Sequence, residues 1–205
     1  MAVTRGFTGR RRGEGEAQDR VPPGQFVTSD FPVLTAGPTP QTAVADWSLA
    51  LQHGGKLLGK WSWDAFNALP QTEVSVDIHC VTKWSKLDTR WRGVTFDDLM
   101  GAAGIEKPPT KFVMAHCDGG YTTNLPVADL SSGKAMIATH YDGLPIPAAH
   151  GGPARLLVPH LYFWKSAKWV RRLSFQDSDR PGFWESLGYH IYGDPWREQR
   201  YEGDP

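Results

Sequence analysis

A cysteine closing a strand-like alternation is the residue of this sequence best placed to do chemistry. In Val74–Cys80, Val74, Val76, Ile78 and Cys80 share one face and Ser75, Asp77 and His79 the other. That period of two predicts a strand with Cys80 at its end, on the buried side. Basic Lys83, Lys86 and Arg90 follow closely, and nearby positive charge favours the thiolate, the form that binds metal or attacks an electrophile. The same pattern also fits a buried cysteine packed as a small hydrophobe. A second pair, His116-Cys117, matches His79-Cys80 at the end of another strand-like run. Two histidines and two cysteines raise a zinc site. Neighbours on a strand point to opposite faces, however, and the short ligand spacings of zinc motifs are missing.

Two glycine-bearing segments add anion chemistry. His150-Gly151-Gly152-Pro153-Ala154-Arg155 frames a turn with an imidazole and a guanidinium, and arginine suits bidentate binding of phosphate. It is not a Walker loop, since no lysine and Ser/Thr follow the last glycine. Lys165-Ser166-Ala167-Lys168 comes soon after, with amides and ammonium groups able to hold the same anion. Asp118-Gly119-Gly120-Tyr121 is a glycine turn beside a phenol, which fits a hairpin turn with Tyr121 packed at its edge.

Short elements must position these groups. The pattern predicts strands over 46–52, 74–80, 111–117, 135–141, 155–158 and 168–175. It predicts a helix over 62–69 stopped by Pro70, and a second over 95–103, where Thr95 and Asp98 resemble a capping box. Residues 81–93 read as a loop. Regular helical crossovers are missing, so the expected class is α+β, with mixed sheets or a partly closed barrel. Residues 1–20 are charged and glycine-bearing and read as a loosely attached arm. Residues 21–205 read as one domain, its proline-rich start (Pro22, Pro23, Pro32, Pro38, Pro40) extended across the surface and its tail beyond Asp177 wrapped around the rest.

Composition narrows the function. Lys+Arg and Asp+Glu balance at 22 each, which argues against a general nucleic-acid binder. No apolar run reaches the roughly 20 residues of a membrane span. Arg10-Arg11-Arg12 leads into Gly13-Glu14-Gly15-Glu16 with no apolar stretch nearby, so an export signal is not expected and the cytoplasm is. Two cysteines there read as free thiols or ligands.

In combination the motifs resemble the sulfite-oxidase-like family of molybdopterin-dependent oxidoreductases, in its small bacterial form. The stretches that carry the resemblance are PPGQF…FPVLTAGPTP (22–40), VDIHCVTKWS (76–85), RWRGVTFDDLM (90–100), AHCDGGYTTNLP (115–126), HGGPARLLVP (150–159), YFWKSAKWV (162–170) and GFWESLGYH (182–190). The resemblance implies a sulfite-oxidase-type molybdopterin-binding fold and a molybdenum–molybdopterin cofactor, with Cys80 as the metal's thiolate. Sulfur suits that metal, and the redox chemistry belongs to the cofactor. It further implies cofactor contacts from Leu34, Thr35 and Ala36, from Cys117 or Asp118, from His150 and Arg155, and from Ser166, Ala167 and Lys168. Tyr121 falls where the family carries an active-site tyrosine, and Arg90 is a candidate anion-binding group. The implied activity is oxygen-atom or electron transfer on a small oxo substrate such as sulfite or a sulfoxide, with a separate electron donor or acceptor protein. The heme and immunoglobulin-like dimerisation domains of animal sulfite oxidases are missing, so a monomer is expected. The alternatives are a catalytically inactive module of the same fold and a zinc protein.

Overall fold

The computed structural model describes residues 19–205. Most of the expected arm lies outside the described residues. Within them, Arg20 is tied to Asp77 and Asp88, each at 2.6 Å.

The strands in chain order are β1 (Phe26–Val27), β2 (Ser48–His53) and β3 (Lys56–Ser62), then β4 (Thr72–His79) and β5 (Trp84–Thr95). They continue with β6 (Phe112–Cys117), β7 (Thr122–Pro126), β8 (Met136–Tyr141), β9 (Leu144–Pro145), β10 (Arg155–Leu157) and β11 (Val170–Gln176). Two short helices interrupt them, α1 (Trp63–Asn67) and α2 (Phe96–Ala102). Both caps follow from sequence: Ser62 Oγ accepts from the Ala65 amide, and Thr95 Oγ1 from the Asp98 amide at 3.1 Å.

One sheet runs β1-β5-β8-β10, with β4 also on β5 and β9 on β8; the other runs β3-β2-β11-β6-β7. Each is mixed: β1 lies parallel to β5 and β2 parallel to β11, while the remaining pairs are antiparallel. The expected α+β class with mixed sheets is what the chain adopts, and neither sheet closes into a barrel.

Three elements differ from expectation. Residues 84–95 are a twelve-residue strand rather than a loop. Thr89, Trp91 and Gly93 are buried and alternate with outward Asp88, Arg90 and Arg92, and the density of charge on the outer positions hides that period. β3 pairs back on β2 through Gly54-Gly55, both at positive φ (52° and 79°), the double requirement of a tight hairpin turn. β7 is a strand not read from the sequence, and it pairs with β6 across the Asp118–Gly120 turn, which is the expected hairpin.

The larger core lies between the sheets and gathers Trp47, Leu49, Phe66, Val94, Leu125, Leu156 and Leu173 with both helices. The first sheet is covered on its other face too, by a second cluster of Ile78, Cys80, Trp84, Trp91, Met136, Ala138, Ile146 and Leu157. Neighbours on β10 therefore serve different cores, Leu156 the first and Leu157 the second. Each such fully buried side chain contributes about 1.5–3 kcal/mol, which holds short β10, and with it Arg155, in place.

Candidate functional site

Cys80 directly follows β4 and opens a turn in which the Lys83 amide donates to its carbonyl. Gln25 Nε2 donates to the same carbonyl at 3.1 Å, and Thr82 Oγ1 donates to the sulfur at 3.2 Å. Burial raises the thiol above its ordinary pKa, and the Thr82 hydrogen bonds and the Lys168 ammonium only partly offset this. Cys80 is thus a protonated thiol until something positive replaces its proton.

The cation facing Cys80 is Lys168 and not the basic run that follows it in sequence. Lys83 is exposed, Lys86 donates to the Ser29 carbonyl and Arg90 pairs with Asp142 at 2.9 Å.

Cys80 opens onto a cavity of about 430 Å³. Its walls come from the 31–38 strap, the turn after β4, the Asp118–Tyr121 turn, His150 and Arg155, the segment 163–169, and Phe183, Trp184 and Tyr189 of the tail. Leu34, Thr35, Ala36, Asp118, Tyr121, His150, Arg155, Ser166, Ala167 and Lys168 all line it. Two of the residues expected from sequence do not. Arg90 stands outside on β5 with its side chain 71% exposed. Cys117 turns from the cavity and packs against the larger core; burial, with Asp118 beside it, pushes its thiol far up. Of the pair left open by sequence, Asp118 is the one that reaches the cavity, its Oδ2 accepting from Thr42 Oγ1 at 2.8 Å.

Arg155 is 1% exposed. Its Nη1 donates to the His150 carbonyl at 2.8 Å and its Nη2 to the Ser166 carbonyl at 2.5 Å. The guanidinium lies over the Phe163 ring, 4.1 Å from its centre. Its Nε is buried without a hydrogen-bond partner among the described residues, and no carboxylate there pairs with it. Burial lowers its pKa to about 9.

Lys168 donates to the carbonyls of Leu34 (2.6 Å) and Ala149 (2.8 Å) and likewise meets no carboxylate among the described residues. Burial, then Arg155, brings it down to about 8. His150 is held neutral, lowered to about 4 by burial, Arg155 and Lys168. Gly151 makes this crowding achievable: at φ 105°, an added Cβ would sit 2.9 Å from Lys168 Cβ and 3.1 Å from Arg155 Cβ.

The sequence grouped Lys165 with Lys168, and the structure separates them. Lys165 is 1% exposed, 2.7 Å from Glu185 Oε1, and bonded to both oxygens of Asn124. Tyr121 lines the cavity and donates its hydroxyl to the Trp164 carbonyl at 2.7 Å. Sequence reasoning also missed the aromatic wall. Phe31 stacks on the His150 ring at 4.0 Å, while Phe163, Trp169 and Trp184 are further lining residues. They fall within the stretches that carry the family resemblance, but no local pattern marks them as walls of one cavity.

One cavity therefore holds the Cys80 thiol together with buried Arg155 and half-buried Lys168, neither of them paired with a carboxylate among the described residues. The oxidoreductase molybdopterin binding domain family matches residues 36–184, most of the chain. The chain belongs to that family. It is 42% identical to the uncharacterized oxidoreductase YuiH of Bacillus subtilis, over 97% of this chain and 100% of that protein. It is 24% identical to the mitochondrial sulfite oxidase of Drosophila melanogaster, over 80% of this chain and 34% of that one. Its fold matches the sulfane dehydrogenase SoxCD of Paracoccus pantotrophus with a TM-score of 0.59 and 22% identity, over 68% of this chain and 40% of that one. The chain thus spans well under half of both of these larger proteins. The family and fold expected from the motifs are those found. Among the described residues no three His, Cys, Asp or Glu side chains gather as a metal donor set, so nothing there supports the zinc alternative. No helix among them is long and apolar enough to cross a membrane.

Proposed function

We propose that the chain is a molybdenum-dependent oxidoreductase that holds a molybdopterin in the 430 Å³ cavity, with Cys80 as the metal's protein thiolate. The observation that carries this reading is the pairing, in one cavity, of the Cys80 thiol with the uncompensated Arg155 and Lys168 charges. The residues fit such a group: the orphaned Arg155 Nε and the depressed Lys168 both gain from an anion, and a soft thiolate suits the metal. Bound there, the group supplies two-electron oxygen-atom transfer to or from a small oxo compound such as sulfite or a sulfoxide, exchanging electrons with a separate protein.

The chain's own residues do the rest. Lys168 supplies a charge toward the anionic portion. Arg155 supplies field and also clamps the two segments that form the cavity floor by donating to their carbonyls. Leu34, Thr35 and Ala36 close the strap side, and Phe31 and Phe163 keep water from His150 and Arg155. Tyr121 stands as the candidate group facing substrate, its proton held by the Trp164 carbonyl. Arg90, outside the cavity, is left with its surface ion pair. Two free thiols support a cytoplasmic setting, and monomeric action is part of the same proposal.

The experiment is elemental and pterin analysis of protein purified from a host that makes the cofactor. About one molybdenum per chain is expected, and Cys80→Ser should lose the thiolate-to-metal absorption while circular dichroism stays unchanged. A Cys80→Ser protein with the original spectrum would remove Cys80 as the ligand.

A further inference from the structure

On the outer face of the second sheet, opposite the core-facing Leu173 and Phe175 of the same strand, β11 presents Arg172, Ser174 and Gln176. Arg172 is the cross-strand neighbour of His116 on β6, and Ser174 that of Gln52 on β2. These side chains, with His53, Asp177 and Arg180, line a polar cavity of about 360 Å³ that shares no residue with the first.

The charges there do not cancel. Arg172 Nε is buried without a hydrogen-bond partner among the described residues. Among the described residues, the side chains of His116, Ser174 and Arg180 make no hydrogen bond or ion pair. The one carboxylate lining the cavity, Asp177, lies 3.4 Å from His53 Nε2, and neighbouring Asp179 is taken by Asn124. Lys60, in the same lateral row through Ala50, adds positive charge to the face. A half-buried guanidinium is costly to leave unmatched. Several donors from different strands suit a tetrahedral oxyanion better than a planar one, and guanidinium forks suit phosphate oxygens.

We propose that this cavity is a second ligand site, taking a phosphate group through Arg172, Arg180, His116 and Ser174. The source is free orthophosphate or the phosphate of a small metabolite. The imidazole of His116 is held neutral, at about 4, by burial and by Arg172; a bound dianion reverses the second influence and raises it. The site does not depend on the proposed cofactor.

The test titrates orthophosphate and, separately, adenosine monophosphate into the full chain, following the His116 ring signals by NMR and binding heats by calorimetry. Saturable His116 shifts are expected with at least one of them, lost in Arg172→Gln and weakened about tenfold or more in Arg180→Gln. The exposed Arg180 position keeps the test independent of folding. Equal response to both ligands assigns free phosphate as the source, and preference for the nucleotide assigns a phosphorylated metabolite. Lys168→Met separates phosphate held in the other cavity, and the His116 response should survive it. No His116 shift at millimolar concentrations, or a shift lost in Lys168→Met and kept in Arg172→Gln, would overturn the proposal.

Discussion

Lys165 and Lys168 sit one turn of chain apart and have opposite fates. Lys165 is sealed in the interior with its charge answered by Glu185 and three oxygens. Lys168 is half-buried and faces a cavity beside the buried Arg155 cation, with two carbonyls to satisfy it. The first arrangement is complete as it stands. The second is complete only with an anion, and that incompleteness marks a binding site more clearly than either residue type does.

The sharpest way to break the comparison is Lys165→Met. It strands the Glu185 carboxylate, whose Oε1 also accepts from Thr123 and Trp164, and a buried charge left alone costs about 3–5 kcal/mol. Urea denaturation should show that loss with or without cofactor. A loss near zero would mean that the pair is not what holds the tail to the sheet. Lys168→Met should behave differently: cofactor-free protein keeps most of its stability, while molybdenum occupancy falls with the loss of a charge-assisted contact worth about 1.5–3 kcal/mol. Equal damage to both forms would make Lys168 a structural lysine like its neighbour.

Titration sharpens the same contrast. Lys168 titrates near 8 when folded against an ordinary value of 10.5, so between those pH values the unfolded chain binds more protons. The stability of cofactor-free protein should therefore rise through that window. A bound anion restores the charged lysine and flattens the rise. At the acid end, His79, His116 and His150 are each lowered to about 4 by burial. Stability should fall as pH drops from 6.5 toward 4, because the unfolded histidines take up protons that the folded ones refuse. Melting temperatures across both windows check the two slopes. The smallest effect expected is that of Tyr121→Phe on stability, about 1 kcal/mol for the bond to the Trp164 carbonyl, with metal content unchanged. The proposed substrate role adds a slower turnover, on the order of 10²-fold, and unchanged turnover would leave the tyrosine as a brace.

The sequence made these two lysines look alike. Lys165-Ser166-Ala167-Lys168 offers two ammonium groups to one anion, and nothing local reveals that Glu185 captures the first. Long-range pairing of that kind has no signature in neighbouring residues. Cys80 was legible because a period of two survives in Val74–Cys80, and the Thr95 cap because it acts on an amide three residues away; Ser62, read as the first helical residue, is the cap of its helix instead. The strand at 84–95 was hidden by its lysines and arginines, and Arg90 was misplaced with it. Once that stretch is a strand, Arg90 must take the face opposite Trp91, and there it is exposed. The glycine pairs were readable as turns, but that Gly151 makes room for both Lys168 and Arg155 depends on contacts between segments.

The cavity walls are drawn from Phe31 at one end of the chain to Tyr189 at the other. Translation adds residues in order, so the stretch through Tyr189 must emerge before all of these walls exist. A group held in that pocket would meet its complete set of walls only after Tyr189 has been made.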